Sequence, residues 1–209
     1  MIGTAAGVAV IVVVLLVVLL TRGGSKPSTS AKPSPTPSAT PSATPLPTPL
    51  AAVPATVSEQ PIDGIQCQAT EQTTYHVHAH VAIFVNGTER SIPQGIGVAP
   101  PVSTVPSNEG PYVESGKCFY WLHTHSDDGI IHVEAPAQSQ LTLGQFFDIW
   151  QQPLSSSGVG PDNGTLTVYV DGKKFTGDPR TIVFTAHELV QLDVGTDVAP
   201  KEFSFPPGL

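Results

Sequence analysis

Six of the seven histidines fall between residues 76 and 132, as His76-x-His78-x-His80, then His123-x-His125, then His132. On a strand, side chains at i and i+2 share a face with Cα atoms about 6.6–6.8 Å apart, a gap that two imidazoles span to hold one ion. Three in a row span twice that distance, so a single ion takes two of His76, His78 and His80. Between His125 and His132 the segment Ser126-Asp127-Asp128-Gly129 reads as a hairpin loop. In that register His123 faces His132, His125 faces Ile130 and Trp121 faces Glu134. His123, His125, His132 and Glu134 then share one sheet face, where the carboxylate serves as ligand or as acceptor for an imidazole N–H. The expected metal site draws on His76, His78, His80, His123, His125, His132 and Glu134. Imidazole with carboxylate suits Zn, Cu(II), Fe or Ni, and the lack of methionine beyond Met1 removes the thioether ligands that favour Cu(I). Zinc or copper is the expected ion. The competing reading leaves the same histidines on a solvated face, or satisfied singly by backbone carbonyls, in a metal-free interaction module.

The elements that must position these residues are mostly strands. The segment TTYHVHAHVAIFVNGTERSI alternates strictly and turns at Asn86-Gly87, a strong hairpin signal, and TLTVYVDGKKFTG repeats the pattern around Asp171-Gly172. One helix is expected in TLGQFFDIWQQ. There Thr142 and Gln145 form a capping box, Leu143, Phe146, Phe147 and Trp150 make an apolar face, and Pro153 ends the run. A weak internal repeat relates AIFVNGTERSIP…LHTHSDDGIIHVE to TVYVDGKKFTGDP…FTAHELVQLDV. The expected fold is therefore mainly β (α+β), two related β-hairpin units packed as a small sandwich with one central helix. The repeat sets His125 against His187 and Glu134 against Asp193, but His123 against Thr185 and His132 against Gln191. Metal chemistry is thus assigned to the first unit, and His187 is expected to matter little.

Cys67 and Cys118, the only cysteines, each precede a histidine strand. Two readings are open: soft metal ligands, or, in an exported domain, a disulfide that ties the two strands together and pre-organises the site. Closing a loop of about 50 residues stabilises by roughly 4 kcal/mol in the chain-entropy model.

Composition divides the chain into an apolar stretch, residues 1–22, a Pro/Ser/Thr-rich stalk, 23–61, and a foldable domain, 62–209. Ile2 to Leu20 carries no charge and is close to the ~20 residues needed to cross a bilayer, so it reads as a transmembrane helix. A cleaved signal peptide would have a shorter apolar core and a small-x-small site, and Thr21-Arg22-Gly23-Gly24 follows instead. Arg22, Lys26 and Lys32 lie C-terminal to the helix and by the positive-inside rule would retain the domain in the cytoplasm. The proline-rich stalk and the isolated cysteine pair point outward, and a basic segment preceding Met1 would reconcile the two. The expectation is a single-pass anchor in the cell membrane with the C-terminal domain extracytoplasmic. The formal charge of -8 comes without any cluster of Lys or Arg interleaved with aromatics, which excludes a nucleic-acid partner.

The segments HVHAHVAIFVNG, CFYWLHTHSDDGIIHVEAP, LTLGQFFDIW and TAHELVQLDVG, with the closing FPPGL, resemble a group of membrane-anchored bacterial proteins that share this order of motifs. The resemblance covers about residues 65–209 and implies the domain boundary and the extracytoplasmic setting. It implies no activity. Two enzyme families share fragments only: HTHSDD is similar to the HxHxDH of metallo-β-lactamase-fold hydrolases, with Asp128 where the final His belongs, and HVHAH is similar to the HxH strand of zinc peptidoglycan peptidases, with no histidine before His76. A metal-dependent hydrolase is therefore the alternative to metal capture, delivery or sensing.

Overall fold

The structure, a computed structural model, describes residues 47–107 and 110–209. The apolar stretch of residues 1–22 and the stalk as far as residue 46 lie outside the described residues. Among the described residues no helix is long and apolar enough to cross a membrane.

In chain order the strands are β1 (Cys67–Gln68), β2 (Tyr75–Val85), β3 (Thr88–Arg90), β4 (Ser103–Ser107), β5 (Gly110–Ser115), β6 (Phe119–Tyr120), β7 (Leu122–His123) and β8 (Ile130–Ala135). After helix α1 (Leu143–Trp150) come β9 (Leu154–Ser155), β10 (Gly158–Val159), β11 (Asp162–Asn163), β12 (Leu166–Val170), β13 (Lys173–Phe175) and β14 (Leu189–Val194). The principal sheet has the order β13-β12-β14-β2-β8-β7, with β3 also paired to β2, and smaller sheets join β1 to β6, β4 to β5 and β9 to β11 through β10. Among the described residues the fold is mainly β with a single α-helix, as the hairpin and helix signals require. Asn86 and Gly87, and again Asp171 and Gly172, take the left-handed backbone that a two-residue hairpin demands.

The repeat is visible in the topology. The β2–β3 hairpin carries β8 antiparallel on its flank, the β12–β13 hairpin carries β14, and the two units join in one sheet where β14 runs parallel to β2. β2 is therefore the spine of the sheet and has a different environment on each face. Val77, Ala79, Val81, Ile83 and Val85 point one way, His76, His78 and His80 the other. The first set joins Leu122, Ile131, Val133, Val190 and Leu192 in one core with Phe146, Phe147 and Trp150 of the helix. Each such fully buried side chain contributes about 1.5–3 kcal/mol. The helix begins at the Thr142–Gln145 capping box and stops at Gln151, whose backbone is left-handed.

One boundary differs from its expectation. Residues 47–61, read as the end of the spacer, lie on the domain: Leu50 is buried in the core, with Val53 and Val57 packed against it. The Ser91 N–H donates to the Thr48 carbonyl at 3.1 Å and the Leu50 N–H to the Ser91 carbonyl at 2.9 Å, and the Trp150 indole donates to the Ala52 carbonyl at 3.1 Å. Scattered apolar residues among the prolines supply the driving force.

Candidate metal centre

The register around the histidines follows the hairpin geometry. His123 pairs with His132 across β7 and β8, and on the other side of β8 His132 faces His78 and Glu134 faces His76 of β2. Three adjacent strands thus deliver imidazoles to one face. His123, His125, His132 and Glu134 are all buried and their donor atoms lie within 4.8 Å of one another; His76, His78 and His132 form a second such group. A buried His/Glu cluster of this kind can hold a metal ion.

What fixes the cluster is the partner of each ring's other nitrogen. His123 Nδ1 lies 2.8 Å from the Tyr120 carbonyl, and His125 Nδ1 makes a short contact with the Val113 carbonyl. A carbonyl only accepts, so both rings carry their proton on Nδ1 and turn an Nε2 lone pair inward. The two Nε2 atoms face each other at 3.1 Å. Outward N–H groups tied to backbone carbonyls and inward lone pairs converging on one point are what imidazole ligation of a metal requires. His132 Nδ1 is 3.2 Å from Glu134 Oε1, and His125 Nε2 is 3.4 Å from a carboxylate oxygen of Glu71.

The electrostatics favour uncharged imidazole. Burial lowers His123 to about 3 and His132 to about 2, with neighbouring histidines adding to the effect, and burial together with His76 lowers His78 to about 4. Burial also raises Glu71, reinforced by the negative charge of Glu134. Glu134 Oε2 is buried without a hydrogen-bond partner among the described residues, a costly state for a carboxylate that a cation relieves.

The structure does not bring every expected residue to the cluster. His80 stacks on Phe203 with ring centroids 3.7 Å apart and lines a separate cavity of about 340 Å³ with Asp127, Asp128 and Lys201. Cys67 and Cys118 are joined in a disulfide, Cα to Cα 5.3 Å, which removes thiolate from the donor set and leaves nitrogen and oxygen. Asp127 and Asp128 accept the backbone N–H groups of Gln94 and Ile130, so both hold the loop in shape. His187 bonds the Leu209 main-chain oxygen at 2.8 Å, outside both groups. At the positions of His132 and Glu134 the second unit has Gln191 and Asp193, which bond each other at 3.0 Å and are closed over by the backbone of Val198 and Lys201. In the second unit the C-terminal chain covers the place that corresponds to the His132–Glu134 part of the first unit's cluster.

Glu71, Tyr112 and the two carbonyls were not legible as site components. Tyr112, on the short strand β5, stacks flat on His125 with ring centroids 4.5 Å apart, and no periodicity marks it. Glu71 had one signal: it follows Cys67 by four residues, and the disulfide and the β1–β6 pairing bring that loop beside the His123 strand.

The chain matches no family model, no curated protein and no solved structure.

Proposed function

We propose that this is a membrane-anchored, extracytoplasmic metal-binding protein that captures Zn or Cu(II) for delivery or sensing, with His123, His125, His132 and Glu134 as the core ligands. The observation that carries the reading is the pair of buried imidazoles whose Nδ1 atoms are both committed to backbone carbonyls and whose Nε2 atoms converge at 3.1 Å. Neutral nitrogen donors with one carboxylate match the borderline ions zinc and copper(II). The disulfide fits an oxidising compartment, and the motif order shared with membrane-anchored bacterial proteins supports the anchor. Calorimetric titration of the full-length protein with Zn²⁺ and Cu²⁺ tests it. Tight binding is expected in the wild type and in His187→Ala, with a loss of well over tenfold in His123→Ala. Equal weak binding by all three would leave a metal-free interaction module.

One observation favours hydrolysis as a second reading. Glu71 is a third exposed and 3.4 Å from His125 Nε2, placed to take a proton from a water held beside the ion. Hydrolysis of an activated ester by the zinc-loaded protein, lost in Glu71→Gln with zinc affinity retained, would favour the enzyme.

A further inference from the structure

The cluster holds more donors than one ion can use. His76, His78, His123, His125 and His132 offer five imidazoles, Glu134 a carboxylate, and zinc in a structural site takes four ligands. The donors also converge on two points. His123 and His125 meet at Nε2 with 3.1 Å between them, and His76 and His78 meet at Nε2 with 3.0 Å between them. Both residues between the pairs touch each side. His132 belongs to both ligand groups, and its ring lies 4.4 Å from that of His125 and 4.5 Å from that of His78, centroid to centroid. Glu134 turns Oε1 to His76 Nε2 at 3.1 Å and Oε2 towards His123 Nε2 at 3.9 Å. A buried carboxylate whose two oxygens face separate nitrogen pairs is the arrangement that bridges two ions roughly 3.5–4 Å apart.

We infer that the site takes two divalent transition-metal ions, an inner one on His123 and His125 and an outer one on His76 and His78, with Glu134 bridging them and His132 giving its one free ring nitrogen to one of the two. This rests on the metal-binding reading above. The two positions differ in access. His123 and His125 are 0% and 3% exposed, whereas the His76 side chain is 36% exposed. The inner ion is enclosed and the outer one meets solvent, so the outer ion exchanges and the inner one stays. That asymmetry suits a protein that hands ions on, because the retained ion keeps the shared carboxylate in place for the next arrival.

The test is Cu²⁺ loading of the full-length protein, followed by metal analysis and electron paramagnetic resonance. Two equivalents are expected in the wild type, with a signal weakened by coupling between the ions, and a chelator should remove one well before the other. His76→Ala, at the exposed ligand and thus least disruptive to folding, and His76→Ala with His78→Ala should each bind one equivalent with an uncoupled mononuclear spectrum. A wild type that binds one equivalent, unaffected by the His76 and His78 changes, overturns the second ion and leaves the metal-binding reading intact. One equivalent abolished by changes in either pair means a single ion spread over the cluster, and also overturns it. No binding in the wild type sinks both.

Discussion

Committing Nδ1 of His123 and His125 to the carbonyls of Tyr120 and Val113 turns each Nε2 inward, where the two nitrogens lie 3.1 Å apart. Replacing His125 by Ala should therefore cost metal affinity more than tenfold while leaving the apo fold standing, and His80→Ala should leave affinity unchanged; titration calorimetry and circular dichroism check both. The pH response follows from burial. His78, His80, His123 and His132 all have folded values below the usual 6.5, at about 4, 4, 3 and 2, so the unfolded chain takes up protons first as pH falls. Their contribution to stability is present above about pH 6.5 and is lost as pH drops towards 4 and below, which a series of melting temperatures in that window should show as a steady decline. The same shift keeps His78, His123 and His132 unprotonated in mild acid. Metal should stay bound through pH 5–6 and leave near 4, lower than the ordinary imidazole value of ~6.5 would give, and equilibrium dialysis across that range reads the midpoint.

At the scale of elements, strands and turns were largely legible because local chemistry dictates them. Asn-Gly and Asp-Gly set two hairpins, Thr142 and Gln145 capped the helix, and the loop from Ser126 to Gly129 gave the pairing of His123 with His132. Other features depend on chain segments that no local pattern connects. The parallel junction of β14 with β2 joins residues more than a hundred apart, and alternating strands carry no mark of which neighbour they take. The carbonyls that orient His123 and His125 belong to backbone, so residue type does not reveal them. Gly129 shows how tightly the loop is fitted: its φ is positive, and a Cβ there would lie 2.7 Å from the Val81 carbonyl oxygen and 3.0 Å from His80 Nε2. Gly129→Ala should destabilise the domain by about 1–3 kcal/mol or more, measured by urea denaturation, and weaken metal binding with it. Reduction of Cys67–Cys118 releases a sequence separation of 51 and should cost roughly 4 kcal/mol in the same assay.

Over the whole molecule, one sheet divides two kinds of chemistry. The apolar face holds the core under α1, and the opposite face carries the imidazoles, so the hydrophobic packing that stabilises the domain also holds three strands in the register the site needs. The composition shift read at residue 62 left Leu50, Val53 and Val57 hidden among prolines on the spacer side, and a chain begun after them should melt lower than one begun at Pro47. If the domain faces an oxidising compartment, thiol labelling of protein taken from its native setting should find Cys67 and Cys118 blocked until reductant is added. The two units differ at equivalent positions: Gln191 and Asp193 are satisfied by the backbone of Val198 and Lys201, whereas Glu134 Oε2 has no hydrogen-bond partner among the described residues. The most direct measurement is X-ray absorption spectroscopy at the zinc edge of the zinc-loaded full-length protein. A first shell of nitrogen and oxygen at about 2.0–2.1 Å, with the multiple scattering of several imidazoles and no sulfur, is the expected result; a shell of oxygen without imidazole scattering, or one containing sulfur, would contradict it.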